Sequence, residues 1–578
     1  MATSADSPPT DQKIEPGGKT GKGHIAPRVF YPSAAIILAF VALTMIFPSQ
    51  AEEIIGTVQG SIVDGFGWYY VALVSGFVVF SLWVGIGHFG DIKLGKDDEE
   101  PEFSLASWLA MLFAAGMGIG LVFWGVAEPL NHFASPKPGV EGTPEQVGQQ
   151  SLVQTFLHWG LHPWAIYVVV GLAIAYAVHR KGRPVSIRWA LEPLLGDRVK
   201  GRWGDVIDVV AVVGTLFGVA TSLGFGVLQV AAGLDFVGID GVADSTPALI
   251  LLIGGITAMA IFSVVSGVKK GVKWLSNINM SMAAILMLFV LIAGPTLFLL
   301  REFVQSIGLY LQNLLQLSFD VSAMQGEEGA AWQAAWATFY WGWWISWAPF
   351  VGIFIARISR GRTVREFVAG VLLVPTVITF LWFTIFGGTG LYRELFGEGG
   401  LVVDGAVNTE GALFGVLGDL PGGMIVSVFA IVLIVLFFVT SSDSGSLVVD
   451  MLTSGGNPEP PTWSRVFWSV VEGLVAIALL VVGGDSGLAA LQTTAIVIAF
   501  PFSIIMIGMC VATWRQFHEE RESWLRARRK RQREELTEHI SQTLIEDGYI
   551  EEPDRSDEDG SSAPASARSA DGDKDVKA

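Results

Sequence analysis

The chain has 578 residues, 51% of them hydrophobic and only 16% charged, with a mean hydropathy of +0.52. A soluble domain carries about 25% charged residues, so a water-soluble globular protein is excluded over most of the length. The single cysteine, Cys510, excludes an internal disulfide and completes no metal-ligand motif, and the net charge of −18 resides largely in the chain ends, so no nucleic-acid partner is expected.

The first thirty or so residues are polar and contain no apolar leader core, so residues 1–30 are expected to be a disordered tail. The first apolar run, "AAIILAFVALTMIF", is then a retained span. Twelve hydrophobic spans are expected, centred near Ala39, Leu73, Met117, Ile166, Leu216, Ile256, Leu288, Ile345, Thr376, Ile434, Val475 and Ile504. Between the seventh and eighth lies "EFVQSIGLYLQNLLQLSF", whose amphipathic pattern predicts a helix at the membrane surface over residues 303–325. Beyond the twelfth, residues 516–547 read as a charged helix and residues 548–578 as an acidic disordered tail.

Loop charges set the expected orientation. "HRKGRPVSIRWALEPLLGDRVKGRWGD" follows span four, "KKGVKW" span six, "RISRGRTVRE" span eight and "RARRKRQR" span twelve, whereas the alternate loops are poor in basic residues. The positive-inside rule then places both termini in the cytoplasm.

Span eight contains "WGWWISW", four tryptophans in seven residues. Interfacial tryptophans sit at the ends of a span. At 1.5 Å per residue, Trp343, Trp344 and Trp347 fall within roughly 5 Å of its midpoint, so they are too deep to be a belt. Compared at an offset of five spans, the sequence shows matching features. Span three contains "AAGMGIGLVFWG", with Gly116, Gly118 and Gly120, and span eight contains "WAPFVG", with Pro349 and Gly352. Both weaken a continuous helix. Spans five and ten share Ser/Thr clusters, "GTLFGVATSLGFG" and "FFVTSSDSGS". Broken helices and polar clusters repeated in two halves point to an inverted-repeat secondary transporter.

Span four supplies a second aromatic set, "HWGLHPWAIY", in which Pro163 is expected to bend the helix. Facing span eight, its Trp159, Trp164 and Tyr167 would form a box with Trp344. Each indole face attracts a desolvated cation by ~0.5–2 kcal/mol, and a quaternary ammonium is the guest that aromatic cages suit best. Backbone N–H groups at a break near Gly116–Gly120 would receive a carboxylate. The absence of a fixed charge from either set favours a substrate with no net charge.

The stretches "GMGIG" in span three, "HWGLHPWAIY" in span four, "WGWWISWAPFVGIFIARISRGRT" in span eight and "FFVTSSDSGS" in span ten resemble the betaine/choline/carnitine transporter family over about Ala35 to Arg515. The resemblance implies an all-α polytopic membrane protein with twelve transmembrane helices. Two of them, in residues 31–100, precede a LeuT-type five-plus-five inverted repeat over 101–302 and 326–515. It also implies alternating access, a bacterial inner-membrane location and a homotrimer. It assigns the trimethylammonium group of a small zwitterionic or cationic substrate to Trp159, Trp164, Tyr167 and Trp344, and the route to the cytoplasm to Trp343 and Trp347. Sodium, a hard cation needing oxygen ligands, is expected on the hydroxyls of Thr440 and Ser441 and the carbonyls of Ala114, Met117 and Phe437. A second sodium would use Thr215, Ser222 and Phe350, although Val219 stands where a second threonine is expected. Gly120 stands where proton-coupled choline relatives tend to carry Asp, which favours sodium coupling. Asp443 is expected to act in gating, with Arg357 as partner. The basic helix beyond span twelve, five Arg and one Lys from Arg526 to Arg533, is expected to meet anionic lipid and suggests sensing of osmotic stress.

Glycine betaine is the expected substrate, with choline, carnitine, proline and ectoine as alternatives. Two other classes remain as rivals: a ligand-gated channel or receptor using the cage, and an intramembrane enzyme built on Glu128, His132, His158 or His162, which no nucleophile or paired-acid motif joins.

Overall fold

Backbone N–H and C=O groups in hydrocarbon find no water, and a long apolar run satisfies them within itself only as a helix. The computed structural model describes residues 24–116, 118–266, 269–483 and 487–547, and it is helical almost throughout. The acidic tail lies outside the described residues, as does most of the N-terminal one.

Helices α1 (Pro27–Ile46) and α2 (Pro48–Ile86) lead the chain, followed by α3 (Leu105–Gly116), α4 (Ile119–Ala134), α5 (Pro144–Trp159) and α6 (Leu161–Ala175). Two single turns, α7 (Ile187–Ala190) and α8 (Glu192–Leu195), occupy the basic loop before α9 (Arg202–Phe236), α10 (Thr246–Ser266) and α11 (Lys269–Ala293). Then come α12 (Thr296–Phe319), α13 (Gly326–Gln333), α14 (Phe339–Ile358) and α15 (Val364–Phe396). A small antiparallel hairpin, β1 (Val402–Val403) with β2 (Ala406–Val407), and α16 (Ala412–Gly418) lead to α17 (Gly423–Thr453), α18 (Thr462–Gly483) and α19 (Gly487–Glu546).

Among the described residues, eleven helical segments are long and apolar enough to cross a membrane. The third expected span is the one missing from that set, because it is cut into α3 and α4, of 12 and 16 residues. The segments differ sharply in burial. The segments Pro144–Arg180 and Gly326–Ile358 bury 89% of their apolar window inside the protein, against 22% for Leu275–Ala293. A helix apolar all round belongs in a core, and α4, α6, α9, α14, α15 and α17 form it. Peripheral α10 and α11 instead expose Leu251, Phe262, Ile285 and Ile292, a surface suited to lipid. The packing is reciprocal at an offset of five spans: α14 lies on α6 and α15 on α4, while α18 lies on α9 and α10 on α17.

The structure moves two expected irregularities. In span four the break is at Gly160, not Pro163. A Cβ there would stand 2.4 Å from the Phe156 carbonyl and 2.8 Å from the Phe380 ring. Pro163 lies in the first turn of α6, where its missing N–H costs nothing. In span eight, α14 runs unbroken through Pro349, and the irregularity is a π-helical turn at Ala334–Thr338. Gly352 serves packing instead, because a Cβ there would meet Val170 at 2.5 Å and the Gly171 nitrogen at 3.1 Å.

The amphipathic helix is also displaced, to Thr296–Phe319 rather than 303–325. It is not free-standing. It packs on α5 and α15, and the Tyr310 hydroxyl accepts the Leu161 N–H at 3.4 Å, just past the Gly160 break.

Residues to Phe517 form one compact unit and the chain from His518 a second. The second unit is helical to Glu546 and exposes Arg526, Arg528, Arg529, Lys530, Arg531 and Arg533. Arg526 pairs with Glu522 at 2.7 Å and Lys530 with Glu534 at 3.7 Å.

Overpacking a tight helix crossing costs about 1–3 kcal/mol. Gly352→Leu should therefore lower the thermal midpoint in detergent by at least about 2 °C. Gly254→Leu, where nothing lies within 4 Å of the added Cβ, should leave it unchanged.

Candidate functional site

The expected helix break is present. Helix α3 ends at Gly116, α4 starts at Ile119, and Gly118 between them is extended (φ −156°, ψ −170°). Met117 lies outside the described residues. The first turn of α4 leaves N–H groups without intrahelical partners, the arrangement that favours an anion.

Indole rings close around this break. A Cβ on Gly120 would stand 2.4 Å from the Trp343 ring and 3.2 Å from the Trp159 ring, and one on Gly118 would be 3.6 Å from Trp347. Two of the three glycines of the motif thus let aromatic rings approach the backbone at the start of α4.

The aromatic residues of α5, α6 and α14 converge. Trp159 meets Trp344 edge to face at 4.8 Å, and Trp343 stacks on Trp344 at 4.6 Å. Tyr167 stands 6.4 Å from Trp344, and Trp164 is 5.5 Å from Tyr167. All are buried in the protein, which contradicts a placement against lipid. Each indole N–H of the inner four is fixed to a different neighbour. Trp343 donates to Ser222 Oγ at 3.1 Å, Trp344 to the His158 carbonyl at 2.9 Å and Trp347 to the Gly218 carbonyl at 2.7 Å. Trp159 donates to Glu128 Oε2 at 2.6 Å.

That last contact brings to the box an acidic residue that neither aromatic set contains. Glu128, on α4, is wholly buried behind Trp159. Its carboxyl group also accepts the Tyr340 hydroxyl and His158 Nδ1 at 2.6 Å, and His132 Nε2 lies 3.3 Å away. The sequence signal was an acidic residue inside an apolar span; what it could not reveal was which ring the carboxylate holds.

Beside Trp347, a cavity of ≈ 120 Å³ is lined by Phe437, Thr440 and Ser441 of α17, by Phe350 of α14 and by Ser276 and Asn279 of α11. The Thr440 hydroxyl bonds the Leu436 and Phe437 carbonyls at 3.0 and 3.2 Å and accepts from the Asn279 amide at 2.9 Å. The carbonyl oxygen of buried Asn279 has no partner and remains a free oxygen donor at this cavity. Sequence reasoning missed Asn279; a lone amide within an apolar span was its only mark. Ala114 lies in the last turn of α3.

The three residues expected to hold a second ion lie in different surroundings. Phe350 lines the cavity of the first set. Ser222 is occupied by Trp343 and by its own Gly218 carbonyl at 3.3 Å. Thr215 is buried without a hydrogen-bond partner. Val219, where a threonine was expected, packs against α17 at Gly445, whose Cβ would be only 2.9 Å from it. The partner of Asp443 also differs from the expected one. Asp443 binds Arg465 of α18 at 2.7 Å, whereas Arg357 is exposed near the end of α14.

With this geometry in hand, the family described as betaine/carnitine/choline family transporter matches residues 28–522. The chain belongs to that family. It is a multi-pass membrane transporter and not an enzyme, so the buried Glu128, His132 and His158 serve a transporter. The chain is 46% identical to the glycine betaine transporter OpuD of Bacillus subtilis over 493 residues, which cover 85% of this chain and 94% of that one. It is 43% identical to glycine betaine transporter 1 of Vibrio parahaemolyticus, covering 86% and 94%. With the ectoine/glycine betaine/proline transporter EctP of Corynebacterium glutamicum it shares 41%, covering 93% and 88%.

Gly120→Ala should force Trp343 and Trp159 away from α4. The expected result is a shifted tryptophan emission and a loss of solute affinity of about tenfold. Emission and affinity both at wild-type values would show that the rings tolerate the added methyl.

Proposed function

We propose that this transporter takes up glycine betaine, driven by sodium, through alternating access. The observation that carries the substrate assignment is the convergence of Trp159, Tyr167 and Trp344 beside the interrupted helix at Gly118. A trimethylammonium group has no N–H to donate, so a carboxylate offers it charge but no hydrogen bond. Ring faces offer distributed attraction and bury its methyl groups. The carboxylate of the same molecule suits the N-terminal N–H groups of α4. The relatives named as glycine betaine transporters, in Bacillus subtilis and Vibrio parahaemolyticus, support the reading. The name of EctP supports a wider range that includes ectoine and proline.

Sodium is assigned to Thr440 and Ser441 with carbonyls of Phe437, Ala114 and Met117, because a hard cation needs several oxygens and α17 lines a cavity with its hydroxyls. The set of Thr215, Ser222 and Phe350 remains the candidate for a second ion. Reciprocal packing of α14 on α6 and α15 on α4 supports the two-repeat architecture, with twelve spans when α3 and α4 are taken as one. Basic loops support a bacterial inner-membrane protein with both termini in the cytoplasm. A homotrimer, contact of the basic helix with anionic lipid and a role in osmoprotection complete the proposal.

Purified protein in proteoliposomes should accumulate glycine betaine only with an inward sodium gradient, in competition with choline, carnitine, proline or ectoine according to fit. Accumulation indifferent to sodium would remove the coupling assignment. Trp344→Ala should weaken substrate binding by roughly 30-fold, the scale of a buried aromatic hot spot. Thr440→Ala should raise the sodium concentration for half-maximal uptake by about tenfold while leaving binding at saturating sodium near wild type.

A further inference from the structure

Glu128 lies on the buried side of the aromatic box, and everything around it is arranged to hold a negative charge. Oε2 accepts from the Trp159 indole and the Tyr340 phenol, Oε1 accepts from His158, and His132 Nε2 lies 3.3 Å from Oε1. Indole N–H is a donor only, and three donors meeting on two oxygens suit an ionised, acceptor-only carboxylate. The His158 tautomer follows from its other nitrogen. Nε2 accepts from the Gln154 amide at 3.1 Å, so Nδ1 carries the proton and donates to Glu128. These carboxylate and imidazole atoms lie within 4.8 Å of one another, but with the His158 proton already directed at Oε1 they form a hydrogen-bond cluster rather than a ligand set. Among the described residues no Lys or Arg is paired with Glu128; the nearby Lys137 is bound to Asp320 at 2.6 Å.

A donor bonded to an anion returns electron density to its own ring, because neighbouring hydrogen-bonded groups polarise one another in a low dielectric. The rings so bonded are Trp159 and Tyr340. They stand 4.8 and 5.9 Å from Trp344, the centre of the box. Glu128 is eight residues beyond Gly120, roughly 12 Å along α4. The helix thus offers N–H dipoles at one end and a carboxylate-backed aromatic wall at the other.

We propose that Glu128 is the buried counter-charge of the box: acting through Trp159 and Tyr340, it makes the site select an onium head over an uncharged group of the same shape. It is a positioning and specificity residue that does not touch the substrate. The inference rests on the aromatic-box reading above and adds the source of the charge discrimination.

The test uses the full-length protein and two probes of equal shape. One is glycine betaine; the other is 3,3-dimethylbutanoate, in which carbon replaces the quaternary nitrogen. Binding is followed by tryptophan fluorescence. Wild type should prefer glycine betaine strongly. Glu128→Gln keeps an acceptor for Trp159 and Tyr340 but removes the charge. It should weaken glycine betaine binding by about tenfold, the difference between a reinforced and an ordinary cation–π site, and change binding of the carbon analogue by less than about twofold. Equal losses for both probes would mean that Glu128 only shapes the pocket, and no loss for either would mean that its charge is irrelevant; each result overturns the proposal. Glu128→Asp keeps the charge in the cluster and provides a second variant should the first not fold. The preference should survive in it, and binding of the analogue with the preference gone would also overturn the proposal. A wild-type protein that does not discriminate between the probes would instead remove the aromatic-box reading itself.

Discussion

Hydrocarbon supplies no hydrogen bonds, so a membrane helix can be interrupted only where other parts of the protein or a polar cavity meet its freed groups. The break between α3 and α4 is such a place, and the architecture of the centre follows from it. Gly120 brings the start of α4 against Trp343 and Trp159, and α5, α9, α15 and α17 pack against the same helix. The second break, at Gly160, is met by the hydroxyl of Tyr310 from α12. A helix outside the eleven apolar spans therefore takes part in holding the box.

The tryptophans are rigid because both of their chemical ends are used. Trp343 and Trp344 stack, Trp159 meets Trp344 edge to face, and the N–H groups of these three and of Trp347 are tied to α4, α5 and α9. Stacking alone leaves an indole free to slide; a directional N–H bond fixes its rotation. Trp159 differs from the others because its acceptor is the carboxyl group of Glu128.

The cavity proposed for sodium and the aromatic box meet at Trp347, which holds Gly218 of α9 and borders the cavity lined by Thr440, Ser441 and Asn279. A change in how α17 or α11 lies against α14 is therefore felt at the tryptophan stack. The arrangement gives a physical path by which ion and solute occupancy would influence each other. Asp443, tied to Arg465, fixes α17 to α18 instead of to the end of α14.

Much was legible in the residue order. Apolar run lengths determined the helical class, depth within span eight separated "WGWWISW" from an interfacial belt, and glycine spacing marked the break in span three. These are one-dimensional properties, set by run length and rise per residue. The break at Gly160, the continuity of α14 through Pro349, the partner of Asp443, and the roles of Asn279 and Glu128 were decided only by the tertiary structure. Each depends on which side chain from a distant segment occupies the space or satisfies the donor. Proline and glycine tolerate several local conformations, and a buried carboxylate has many possible partners along a chain; only packing selects among them.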